Sequence, residues 1–217
     1  MRDNRSPRLA GGPAIAKRLE LCLDFANTVD WHSSDRPQET LHTYEDLLAW
    51  AAAQAVISQN LVDALARRAR REPQAAVAVY RRATALREAV YQIFLARIGG
   101  KPPARADVSV FNEELQRALA QYRVEFGVDG AAWRLAGEGA EFDLPVWPIV
   151  QSAAELLLSE VFRDRVGQCA DPAGCGWLFL DLSKNRSRRW CSIRDCGNRA
   201  KQRRLQARLK RPAIPRA

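Results

Sequence analysis

The chain has 217 residues, is 47% hydrophobic and carries a formal net charge of +9. That length allows one large domain or a medium domain with a small appendage, and the apolar content suffices for a buried core. No apolar run approaches the roughly 18 residues of a membrane span, and no signal-type segment follows the charged start, which argues against membrane-spanning and secretory classes.

Residues 1–17 read as a disordered tail of a cytoplasmic protein. Residues 18–165 read as a mainly α domain containing one small β-hairpin. Near its start, Cys22 lies in the apolar run Leu21-Cys22-Leu23-Asp24-Phe25 and is expected to pack as a small hydrophobe. Asp24, Asn27, Thr28, Asp30 and His32 follow as a polar cluster. If the segment is helical, Asp24 and Asn27 share a face and could line a pocket for a small-molecule effector. The competing reading is local: capping, turn formation and core hydrogen bonds.

Thr43-Tyr44-Glu45-Asp46 opens an apolar-periodic segment like a capping box, with Asp in place of Glu. Leu61, Leu65 and Ala69 predict a second helix over 60–71. Pro73 suits a first helical position. The long segment after it carries Val77, Tyr80, Ala83, Leu86, Val90, Ile93, Phe94 and Ile98 at helical spacing, until Gly99-Gly100 and Pro102-Pro103 stop it. A helix over 108–122 should turn Phe111, Leu115 and Leu119 inward. The period then changes to two through Val124, Phe126 and Val128, with a turn at Asp129-Gly130 and alternation again at Trp133 and Leu135, which predicts a hairpin. Helical periodicity returns over 145–166.

Residues 166–211 differ in kind. Cys169 and Cys175 form one close pair, Cys191 and Cys196 another. Two such pairs joined by a short bridge suit tetrahedral metal ligation. The only histidines, His32 and His42, are remote in sequence, so a site made of cysteines alone is the economical reading. Zinc is the first choice of ion, with an iron–sulfur cluster, two disulfides and four unrelated thiols as the alternatives. Four protein ligands leave no coordination position for water, which makes a bound zinc structural. The stretch 177–180 should form a short strand, 184–186 a turn, and the second cysteine pair should open a basic helix. Metal loss is then expected to melt this module while the helical domain survives. Residues 212–217 read as a frayed tail.

The charge follows the same division. Residues 163–217 hold 15 Lys+Arg against 4 Asp+Glu, and the rest of the chain 19 against 21. Basic charge concentrated beside a metal module suggests a polyanionic partner, nucleic acid before membrane. Lys201, Arg204, Arg208 and Arg211 fall on one stripe of a helix and suit phosphates. Asn198 and Arg199 are candidates for base edges, and Arg188 and Arg189 for further contacts. Local roles compete for each: Asn198 satisfying backbone groups, Arg188 and Arg189 bonding the sulfurs or Asp181.

Cys175-Gly176-Trp177-Leu178-Phe179-Leu180-Asp181, then Arg188-Arg189-Trp190-Cys191-Ser192, then Cys196-Gly197-Asn198-Arg199 together resemble the CGNR zinc finger. The segments 21–29 and 44–47 resemble the ABATE domain that usually precedes it. The resemblance implies a bacterial stress-responsive transcription regulator, the four cysteines as ligands, and the finger as DNA binder. One departure is that five residues separate Cys169 from Cys175, where the family pattern would have four.

The reading is therefore a non-enzymatic regulator that binds duplex DNA through a structural zinc finger, with a sensing or dimerising N-terminal domain. A groove-reading module this small favours a homodimer covering two half-sites. The alternatives are an RNA binder stacking bases on Trp177, Phe179 and Trp190, a zinc-dependent protein-interaction adaptor, and a hydrolase or transferase using Asp24 and His32.

Overall fold

Leu19, Cys22, Leu23 and Ala26 recur at helical spacing and are buried, which makes α1 (Gly12–Ala26) the central helix of the fold. The computed structural model describes residues 12–128, 130–135 and 141–209, with the backbone alone for 12–16, 132 and 208. Of the tail predicted over 1–17, residues 1–11 and the second predicted tail at 212–217 lie outside the described residues; residues 12–17 are helix instead. Cys22 is fully buried. Its backbone N–H donates to Ser152 Oγ at 3.1 Å, and burial pushes its thiol up to about 12, so it packs as expected.

The capping box forms as read. Thr43 Oγ1 accepts from Asp46 N at 3.1 Å and Asp46 Oδ2 accepts from Thr43 N at 2.9 Å, opening α2 (Tyr44–Ala53). Thr43→Ala should cost about 1 kcal/mol, read as a fall in melting temperature of a few degrees. Ser58 caps α3 (Gln59–Arg71), and Pro73 opens the long α4 (Pro73–Ile98). Val77 and Ile98, at the ends of its apolar series, are 44% and 43% exposed. α5 (Arg105–Leu119) begins three residues before the predicted start and ends earlier, because Tyr122 already begins a strand. Leu119 is accordingly 48% exposed rather than inward.

The hairpin is present as β3 (Tyr122–Gly127) and β4 (Gly130–Leu135), with Val124 opposite Trp133. It stands away from the body: Phe126 is 83% exposed. α6 (Trp147–Leu158) is shorter than its periodicity suggested. Ser159 is extended (ψ 118°), a 3-10 turn spans Arg163–Arg165, and β5 (Val166–Gln168) pairs antiparallel with β6 (Leu178–Leu180). The partner strand, which a local pattern does not reveal, takes Val166, the last residue of the predicted helix, into β5.

α1 packs on α4 and α6, and α5 closes against α4 and α6. Two minimal strands, β1 (Val29–Asp30) and β2 (Gln38–Glu39), pair beside the end of α1. Leu178 and Leu180 of β6 are 2% and 0% exposed and belong to the same core as α1 and α4. The cysteine-bearing segment therefore shares a hydrophobic core with the helices rather than hanging from them.

Candidate metal centre and basic face

The sulfurs of Cys169, Cys175, Cys191 and Cys196 all lie within 4.8 Å of one another. Cys175 to Cys191 is 3.6 Å and Cys191 to Cys196 is 3.5 Å. Bonds of about 2.3 Å to a tetrahedral ion imply sulfur separations of about 3.8 Å, so the donor set fits a thiolate-preferring metal. The electrostatics agree. Without a metal, the neighbouring sulfurs of Cys175 and Cys191 pull the Cys169 thiol below its ordinary value while their own thiols are pushed up. Burial pushes Cys196 up to about 12. All four sulfurs could be thiolates together only with a cation among them, so binding the ion would release protons from the raised thiols.

The local backbone explains how the pairs converge. In the first loop Asp171 Oδ1 accepts from Ala173 N at 3.0 Å, its carbonyl accepts from Gly174 N at 2.9 Å, and Gly174 takes φ +86°. This turn absorbs the fifth residue between Cys169 and Cys175. In the second, Ser192 Oγ accepts from Asp195 N, and a π-helical turn (Ile193–Gly197) carries Cys196 into α7 (Asn198–Leu209).

Asp171 joins the two halves. Its side chain is wholly buried. Arg199 Nε donates to its Oδ2 at 2.9 Å and Arg203 Nη1 to its Oδ1 at 3.1 Å. Burial works to raise this carboxyl, but the bonds from Ala173 N and Arg199 outweigh it and hold it below the ordinary range. Arg199 Nη2 also donates to Cys196 Sγ at 2.8 Å, and its guanidinium lies 4.9 Å from the centroid of Trp31.

These contacts redistribute the predicted nucleic-acid residues. Arg199 is committed to Asp171 and Cys196, not to a base edge. Arg188 is committed too: it donates to the carbonyls of Trp190, Leu180 and Cys191 and stands 4.5 Å over the Phe179 ring. Asn198 Nδ2 donates to Arg194 O at 2.7 Å, the local role weighed for it. Arg189 is exposed, beside the Trp190 ring. Lys201 and Arg204 are exposed on α7, Arg204 donating to Ala200 O. Arg208 is on α7 with its side chain outside the described residues, as is all of Arg211. Arg194, exposed in the π turn before α7, was missed because it lies between the second pair of cysteines, ahead of the expected helix stripe. Asp171 was missed because nothing local marks an aspartate as the partner of arginines 28 and 32 residues away. Phe179 is only 6% exposed, which removes it from the aromatic platform envisaged for RNA. Leu205 and Leu209 remain 57% and 77% exposed, uncovered by the helical domain.

The finger is docked on the helices through the 27–34 segment. Asn27 clamps β6 with both side-chain atoms: Nδ2 donates to Leu178 O and Oδ1 accepts from Leu178 N, each at 2.8 Å. His32 N donates to Cys175 O and Ser33 N to Gly174 O, Trp177 Nε1 donates to Val29 O, and Tyr91 Oη donates to Gly176 O. A Cβ on Gly176 would fall on Ser33 Oγ and lie 2.7 Å from Ser33 N, at φ +69°. Gly176→Ala should destabilise by about 1–3 kcal/mol, seen as a lower melting temperature and faster amide exchange in 27–34.

Of the predicted pocket residues, Asp24, Asn27 and Thr28 do line one cleft, while His32 does not. Its ring stacks on Tyr91 at 3.6 Å and bonds Glu88 at 2.9 Å. Thr28 is buried and bonds Phe25 O and Arg87, so its hydroxyl is structural. No described helix is long and apolar enough to cross a membrane.

Two family descriptions match. Residues 165–209 match the CGNR zinc finger, and residues 19–160 match ABATE, described as "putative stress-induced transcription regulator". No curated protein matches the chain. With its clustered cysteines and the tetrad Cys196-Gly197-Asn198-Arg199 inside the second match, the chain belongs to the ABATE family and carries a CGNR zinc finger behind that domain.

Proposed function

We propose that this protein is a cytoplasmic transcription regulator that binds duplex DNA through α7 and the turn before it, with one structural zinc ion held by Cys169, Cys175, Cys191 and Cys196. The single observation that carries this is the contrast along α7. Arg199 and Arg203 tie one face of its first half to Asp171, whereas Lys201, Arg204 and the rest of 201–207 are exposed to solvent. A helix anchored on one face and exposed on the other can enter a groove without rearrangement. Arg189, Arg194, Lys201 and Arg204 supply the phosphate contacts, and the closed ligand set gives zinc a folding role and no catalytic one. The N-terminal domain senses an effector or dimerises, and through the Asn27 clamp either event can reach the finger.

Duplexes selected from random pools should bind the metal-loaded protein with log K falling against log salt at a slope near −4 to −5, for about five phosphates. Lys201→Gln with Arg204→Gln should flatten that slope by about 2. Salt-independent binding, or none at low salt, overturns the reading; salt-insensitive capture of a protein partner would point to an adaptor.

A further inference from the structure

A cleft of about 520 Å³ opens between the helical domain and the finger, a size suited to a small ligand. Leu23, Leu178 and Leu180 give it apolar lining, and the half-buried Trp50 and Trp177 stand in its walls. Both rings are fixed: Trp50 packs on Phe25 with centroids 5.1 Å apart, and Trp177 is tied to Val29 O. Glu20 and Asp24 from α1, and Asp30 beyond it, place three carboxylates in the same cleft. Among the described residues, none of their side chains makes a hydrogen bond or ion pair.

Among the described residues that line it, the one guanidinium, Arg188, is held by three backbone carbonyls and the Phe179 ring. Among the described lining residues three carboxylates outnumber one guanidinium, so the cleft is net negative as well as aromatic. Partial burial raises the carboxyl of Glu20, and the surrounding protein raises that of Asp24 although the residue is exposed at the cleft mouth. The charge of Asp24 adds to the shift of Glu20 and Arg188 opposes it, while Lys17 opposes that of Asp24. Carboxylates in a partly desolvated site favour a positive partner, and indole faces attract cations carried on an apolar body.

We propose that this cleft binds a small organic ammonium ion, its charge among Glu20, Asp24 and Asp30 and its apolar body against Trp50 and Trp177. The site gives a chemical identity to the effector in the sensing role proposed above, and its regulatory meaning rests on that role. Leu178, Arg188 and the metal ligand Cys191 line the same cleft, so an occupant touches the finger directly.

The metal-loaded full chain is titrated with 1,4-diaminobutane, phenethylamine and tetramethylammonium, followed by calorimetry and tryptophan fluorescence. 2-Phenylethanol and 3-phenylpropanoate serve as neutral and anionic controls. At least one cation should bind one to one, at least tenfold more tightly than the controls and more weakly as salt rises. Glu20→Gln with Asp24→Asn should weaken it at least tenfold, whereas Glu113→Gln on α5 should not. If no cation binds, if the controls bind equally, or if a folded Glu20/Asp24 variant binds unchanged, the inference is wrong. The wild-type comparison of cation with control needs no variant. Duplex binding is measured alongside: intact DNA binding without cation binding sinks this inference alone, and cation binding without DNA binding sinks the DNA reading alone.

Discussion

Stripping the metal with a chelator, or replacing Cys175 or Cys196 with Ser, should lower the melting temperature of the entire chain in one transition. The expectation from sequence was narrower, with the finger melting and the helical domain persisting. The shared core changes it. Structural zinc contributes about 10–16 kcal/mol of apparent binding energy in finger peptides, and that energy here closes a loop whose strand also fills the main core. Leu178 and Leu180 are almost completely buried against the helices. Each contributes about 1.5–3 kcal/mol by its burial, a large share of the roughly 5–15 kcal/mol that typically holds a domain. If β6 peels away, α1 loses its cover. Calorimetry with and without chelator, together with amide exchange in α1 and α6, reads the effect. A helical melt unchanged by metal removal would show that β6 stays docked by the Asn27 clamp alone.

Arg87→Met should destabilise the protein by about 3 kcal/mol, at the lower end of the cost of breaking a buried ion pair because Glu39 is partly exposed. Arg87 is 3% exposed. Its Nη1 and Nη2 donate to the two Glu39 oxygens at 2.7 and 2.6 Å, its Nε to Glu88 at 3.1 Å and its Nη1 to Thr28 Oγ1 at 3.2 Å. It thus ties α4 to the β1–β2 ladder and to the segment that docks the finger.

The pH dependence follows from Glu39. Burial acts to raise its carboxyl, but the bonds and charge of Arg87, together with the backbone N–H groups of Leu41 and Thr40, outweigh it and hold it below the ordinary 4.5. A depressed folded value gives stability that is complete above the unfolded value and is lost as pH falls through the folded one. In the variant only burial and the backbone bonds act on Glu39, so the stability gap between wild type and variant should narrow as pH drops below about 4.5. Denaturant midpoints across roughly pH 3 to 7 measure it. A gap that stays constant or widens in acid would show that the pair is not the source of the loss.

Features set by neighbours along the chain were legible from sequence alone. Capping at Thr43, the proline start of α4, the hairpin and the spacing of the four cysteines each depend on residues a few positions apart, where backbone geometry leaves little choice. The cysteine pairs carry the metal centre because two thiols on a short loop converge in almost any fold that closes it. What each arginine does was decided by the tertiary structure. Arg188, Arg189, Arg199 and Arg204 are chemically equal in a sequence, and only the placement of Asp171 and of the carbonyls near Trp190 separates those held by the protein from those left exposed. The end of α6 and the seating of β6 in the helical core were likewise invisible. Strand pairing and burial are contacts between residues far apart in the chain, and no local periodicity encodes them.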